Sequence, residues 1–188
     1  SEIKNSSSLI YFKDVDSKEI DLILKKHHIE KWNWLETKEE NWVQKCKDFF
    51  KPIIIKNKIQ VIPYWEEQND NYLNIKINPA LAFGTGHHET TYMMIQSMLD
   101  FDFCNKSVLD IGTGSGILSI VAKKLKASKV RALDNDSLTY NNFYENLELN
   151  DISKNCIEFE ISDCFNIEDF NFNFIFANIN SKILKELI

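Results

Sequence analysis

Glycine is scarce in this chain, with five in 188 residues, and all five (Gly84, Gly86, Gly112, Gly114, Gly116) fall within one stretch of 33 positions. Turns elsewhere must therefore use other residues, and glycine here marks places where backbone must approach something closely. Cysteine is scarce too. Cys46, Cys104, Cys156 and Cys164 form no CxxC pair and no zinc-finger spacing, which excludes a disulfide framework and predicts four buried, reduced thiols. No apolar run approaches the roughly 20 residues of a membrane span, and the opening SEIKNSSS lacks the apolar centre of a secretory signal. The expectation is a cytoplasmic protein with no membrane contact. Basic residues are outnumbered, 22 Lys and Arg against 28 Asp and Glu for a net charge of -6, which argues against a broad phosphate-binding surface and suits a basic partner.

What is present reads as one globular domain with a small appendage, since 44% of residues are apolar. Residues 16–28 place Ile20, Ile23, Leu24 and His27 on one helical face, and residues 37–50 place Trp42, Cys46, Phe49 and Phe50 on another. IQVIPYW and NYLNIKINP read as a β-ribbon, the second alternating Leu73, Ile75 and Ile77 with Asn74, Lys76 and Asn78. A helix is expected over 90–99. From SVLDI onward, apolar strands alternate with helical stretches through KVRALD, CIEFEI and FNFIFANI, the rhythm of a parallel α/β sheet with right-handed crossovers. Ligands of such a sheet lie at the carboxyl ends of its strands. The domain boundary is expected between Lys51 and Lys58, giving residues 1–55 and 56–188.

VLDIGTGSG ends a strand in Asp110 and turns through Gly112, Gly114 and Gly116 into a helix. The dinucleotide fingerprint would need glycine where Ile117 stands, and no GK[ST] ending supports a P-loop. The match is to DxGxGxG, the loop of S-adenosylmethionine-dependent methyltransferases. KVRALD closes the next strand in Asp134, 24 positions after Asp110, where an acid can accept from both hydroxyls of a ribose or, with Asp136, cap the following helix. Asp163 in ISDCF is placed equally to face an adenine amino group or to serve a loop. Asn178 in FANIN presents a neutral amide at a strand end, a place where asparagine also serves ordinary turns. HHETTY is not HExxH, because Tyr92 occupies the second histidine position, and no Asp or Cys stands at metal-ligand spacing from His87 and His88. A metal is not expected.

NPALAFGTGHHETT, followed by VLDIGTGSGILSI, ALDND and FANIN, resembles the PrmA family, the methyltransferases of large-subunit ribosomal protein number eleven, from about Trp42 to Asn180. The resemblance implies a Rossmann-like class I methyltransferase sheet with a small N-terminal α+β domain that holds the substrate. It implies S-adenosyl-L-methionine as cofactor, and transfer to lysine side-chain and N-terminal amines of a ribosomal protein. Cofactor contacts carry over to Thr91, Gly112, Asp134 and Asn178; Gly114 and Asp163 join them, and Asn178 is the catalytic candidate. GTGHHETT would close over the methionine end of the cofactor, with Phe83 and Trp65 as candidates to line the substrate channel or pack the core. The family sheet has seven strands and this sequence supplies four, so the chain is expected to be truncated at its C-terminus and, given a short N-terminal portion, there as well. Alternatives are a methyltransferase for lysines of another protein and a non-catalytic cofactor-binding fragment. ANIN in place of an NPPY-like sequence, with the acidic charge, disfavours a nucleic-acid substrate, and a monomer is expected.

Overall fold

The computed structural model describes residues 17–27, 29, 50–79 and 89–187. The expected helix over 37–50, except for its last residue, and the GTGHH segment with Phe83 lie outside the described residues. The chain divides into a unit of residues 1–41 and a unit of residues 42–188. In the first, α1 (Ser17–Lys26) half-buries Ile20 and Leu24. Ile23 and His27, expected on the same face, are exposed, so the apolar stripe is narrower than the sequence pattern.

The second unit holds two sheets. β1 (Ile53–Ile55), β2 (Ile59–Pro63) and β3 (Leu73–Ile77) form a three-stranded sheet in that order. Here the structure differs from the expected ribbon: β2 and β3 run parallel, Ile59 opposite Leu73, while the hairpin joins β1 to β2. Its turn carries Lys56 and Asn57 at φ 46° and 52°, with Lys58 N donating to Ile55 O at 3.0 Å. Two consecutive positive φ values are the pattern of the mirror-image turns that match strand twist.

After α2 (Glu89–Met98) come β4 (Ser107–Ile111), α3 (Ile117–Lys124), β5 (Lys129–Asp134), α4 (Thr139–Leu149), β6 (Glu158–Ile161), β7 (Phe174–Ala177) and α5 (Ser181–Leu187). The four strands are parallel in the order β6-β5-β4-β7. The chain steps outward from β4 through β5 to β6, then returns to the other side of β4. That reversal makes the crevice beyond the ends of β4 and β7 a topological switch point, where open α/β sheets bind ligands.

One core runs through both sheets, joining Ile55, Ile59, Val61, Ile75 and Ile77 to Val108, Ile117, Val121 and Phe143. The opposite face of the parallel sheet buries a smaller cluster of Leu109, Ile111 and Leu133, against partly buried Ile167, Phe172 and Ile179. The thiols depart from expectation. Cys104 and Cys156 are exposed and Cys164 is half-buried, because they stand on connections beyond the sheet rather than on its strands; Cys46 lies outside the described residues.

Candidate active site

The sequence VLDI forms β4 because each of its four residues is buried between layers, and DIGTGSG must then leave the sheet within a few residues. Gly112, Gly114 and Gly116 make that exit at φ 67°, 54° and 81°. A side chain at Gly112 would overlap the Ile179 side chain, and a Cβ at Gly116 would lie 2.7 Å from the Phe143 ring. Glycine is needed here for conformation and for space together. The loop hangs on β5: the Gly112 and Thr113 amides both donate to Leu133 O, at 2.9 and 3.0 Å. It then enters α3, whose start at Gly116 has no side-chain cap. First-turn N–H groups left without such a cap suit an anion or carboxylate.

Asp134 ends β5 and is 8% exposed. Its Oδ2 accepts from Gly114 N at 2.8 Å and its Oδ1 from Asp136 N at 3.0 Å. The carboxylate is therefore locked to the middle glycine of the loop, and a carboxylate offers about four lone-pair positions, so two further donors can be accepted. The helix-cap alternative takes a modified form: Asp134 organises the turn, and Asp136 Oδ1 accepts from Leu138 N at 2.9 Å near the start of α4.

Asp110 is the buried carboxyl of the site, 1% exposed. Thr113 Oγ1 and Ser119 Oγ each donate to its Oδ2 at 2.7 Å, while Oδ1 is buried with no partner among the described residues. Burial pushes its carboxyl above the ordinary carboxylate value, opposed by the hydrogen bonds from Ser119 and Thr113.

Asn178 stands directly after β7, part-buried, and its Nδ2 donates to Thr91 Oγ1 at 3.1 Å. Thr91 is fully buried on α2, so two candidates 87 positions apart in sequence meet at the switch point. The next residue, Ile179, is the one against which Gly112 is packed. Asp163 stands apart from this pairing. It is exposed, beyond the end of β6, and its Oδ1 accepts from Phe165 N at 3.0 Å to start a short 3-10 turn. Trp65 is partly buried and its indole Nε1 is buried without a partner among the described residues. Sequence reasoning missed the side chains that hold the loop from behind: Thr113 and Ser119 on Asp110, Ile179 on Gly112, and Asn146 of α4, which donates to Ser115 O at 2.8 Å. A signal for the last was available, because Asn142, Asn146 and Asn150 recur every four residues on a helix face that also carries Phe143 and Leu147.

No helix among the described residues is long and apolar enough to cross a membrane, and no cluster of metal-ligating side chains occurs among them. The fold is similar to the crystal structure of a ribosomal protein L11 methylase from Lactobacillus delbrueckii subsp. bulgaricus, with a TM-score of 0.66 and 32% identity over 73% of this chain and 71% of that one. This likeness fits a Rossmann-like class I methyltransferase sheet. The chain is 36% identical over 166 residues to the ribosomal protein L11 methyltransferase of Prochlorococcus marinus (strain MIT 9515), covering 84% of this chain and 55% of that protein. It is 45% identical over 147 residues to the one of Porphyromonas gingivalis (strain ATCC BAA-308 / W83), covering 77% of this chain and 50% of that protein. The chain thus spans about half the length of the curated relatives it matches. With residues 4–188 matching the family described as ribosomal protein L11 methyltransferase (PrmA), the chain belongs to that family.

Proposed function

We propose that this chain carries the catalytic machinery of an S-adenosylmethionine-dependent N-methyltransferase that acts on lysine side-chain and N-terminal amines of ribosomal protein L11. The observation that carries the reading is the convergence, at the switch point between β4 and β7, of the glycine loop with its locked Asp134 and of Asn178 paired to Thr91. The residues present suit the cofactor. Asp134 has acceptor capacity left for ribose hydroxyls, and the uncapped start of the helix after Gly116 offers first-turn N–H groups to the cofactor's carboxylate. Asp163 is assigned to the adenine amino group. When bound, the cofactor supplies an electrophilic methyl group on a sulfonium.

The protein's task is then placement. An amine with an ordinary pKa near 10.4 is protonated in water, so its site must favour the neutral form and hold its lone pair in line. Asn178 is the residue we assign to that orientation, through its side-chain oxygen, with its Nδ2 donating to Thr91 Oγ1. We read residues 1–55 as part of a substrate-holding domain and 56–188 as the methyltransferase domain, to which Ile53–Ile55 adds a strand, in a cytoplasmic monomer. The test is to incubate the chain with isotopically labelled S-adenosylmethionine and either L11 or ribosomal RNA. Label on L11 amines by mass spectrometry is expected. Label on RNA alone would overturn the substrate, and cofactor binding without transfer would leave a binding module.

A further inference from the structure

β3 is an edge strand of its sheet, and on its open side it meets a column of amides from α4 rather than another strand. Asn150 accepts from Lys76 N at 2.9 Å and donates to Lys76 O at 2.7 Å. One turn earlier, Asn146 Oδ1 accepts from Asn78 N at 2.7 Å, and Asn142 Nδ2 donates to Asn78 O at 3.2 Å. Each of these asparagines is nearly or fully buried. A buried amide is costly unless satisfied, so a column of them is maintained only where its hydrogen bonds set the position of something.

Asn146 differs from its neighbours in reaching two segments. It is fully buried, and while its oxygen holds Asn78 its Nδ2 donates to Ser115 O at 2.8 Å. Ser115 lies between Gly114 and Gly116 of the glycine loop, and Asn78 is the first residue of NPALAFGTGHHETT, the segment that leads from β3 to Thr91. One rigid planar group thus joins the backbone at Asn78 to the backbone at Ser115. Asn150 holds the same strand with two bonds, and its remaining bond goes to Asn146 O at 2.7 Å, within the helix.

We propose that Asn146 is a positioning residue that fixes the backbone at Asn78, where β3 ends, against Ser115 of the glycine loop, and so holds the loop in the geometry that the cofactor meets. The cofactor part of this inference rests on the function proposed above. The coupling of the two backbones does not.

The test compares Asn146→Ala, Asn146→Asp and Asn150→Ala with the unaltered chain, using hydrogen exchange on peptides containing Asn78 and residues 112–116, and calorimetric titration with S-adenosylmethionine. Asn146→Ala is expected to speed exchange in both peptides and to weaken binding by about tenfold, the scale of one buried hydrogen bond. Asn146→Asp keeps the acceptor for Asn78 N but loses the donor to Ser115 O, so it should loosen the glycine-loop peptide and spare the other. Asn150→Ala should loosen β3 alone and keep affinity within about twofold. A destabilised but purely structural asparagine would make Asn146→Ala and Asn150→Ala behave alike, and that result overturns the proposal. Should Asn146→Ala fail to fold, Asn146→Asp decides: equal exchange changes in both peptides, or none in the glycine loop, overturns it. If the unaltered chain binds no S-adenosylmethionine, the proposed function fails, while the exchange pattern still decides the coupling.

Discussion

Two acids at neighbouring strand ends have opposite surroundings, and that difference sets what each substitution does. Asp134 accepts from two backbone amides, so it is part of the loop's architecture as well as a ribose acceptor in the proposed site. Asp134→Ala should therefore weaken S-adenosylmethionine binding by about 10- to 100-fold and also lower stability by about 1–3 kcal/mol, read by calorimetry and by denaturation. Unchanged affinity would remove it from the ribose. Asp110 is governed by burial instead, which favours its protonated form. Once pH rises past the ordinary value of 3.8, the unfolded chain releases a proton that the folded chain still holds. Stability then falls with rising pH up to the folded-state value and stays reduced above it. Asp110→Asn removes that titration, so relative to the unaltered chain it should gain stability as pH rises from about 4 toward 8. A difference that does not change with pH, in urea denaturation across this range, would show that the carboxyl titrates normally.

The shortage of glycine is resolved one level up, at the ends of the elements. Outside the glycine loop, positive φ among the described residues is taken by Lys56, Asn57, Asn105, Lys126 and Asp151. Two of these end helices. Lys126 N donates to Lys123 O and Ala127 N to Ala122 O after α3, and Asp151 N to Glu148 O and Ile152 N to Leu147 O after α4. Both are Schellman motifs with a side chain at the position glycine usually holds. Lys126→Gly should accordingly stabilise the fold by about 0.5–1 kcal/mol, a rise in thermal midpoint, while Gly116→Ala, at φ 81° and against Phe143, should destabilise it by 1 kcal/mol or more. Equal and small effects from the two would mean the loop is not strained. This is also why parts of the architecture were legible and others were not. Apolar runs closing in Asp110, Asp134 and Asn178 announced β4, β5 and β7 and the ends at which the proposed site lies, because burial between layers demands such runs. The β1–β2 hairpin was hidden because its turn is Lys-Asn rather than Asn-Gly, and the parallel pairing of β2 with β3 was hidden because register is set by tertiary contacts. The Thr91 to Asn178 contact joins residues 87 positions apart, and local spacing carries no information about it.

At the scale of the molecule, the parallel sheet is covered unequally. One face shares the core that runs through both sheets, where Ile75 and Ile120 are fully buried; the other buries only Leu109, Ile111 and Leu133 among the described residues. Because Ile55, Ile59 and Ile75 of the small sheet lie in the same cluster as Ile117, Val121 and Phe143, the small sheet has no separate core of its own among the described residues with which to unfold independently. Probes on the two sheets should then report a single cooperative transition, with coincident midpoints in denaturant. Ile75→Ala should move both probes together by about 3–4 kcal/mol, since a site packed on all sides collapses poorly around a cavity. Leu109→Ala, equally buried but set in the smaller cluster beside partly exposed side chains, should cost nearer 2–3 kcal/mol, because those neighbours can shift into the space. Two separate transitions, or an Ile75→Ala effect confined to the three-stranded sheet, would show that the sheets are energetically independent. The glycine loop, fixed to the small sheet through Asn146, would then have to hold its geometry by the parallel sheet alone.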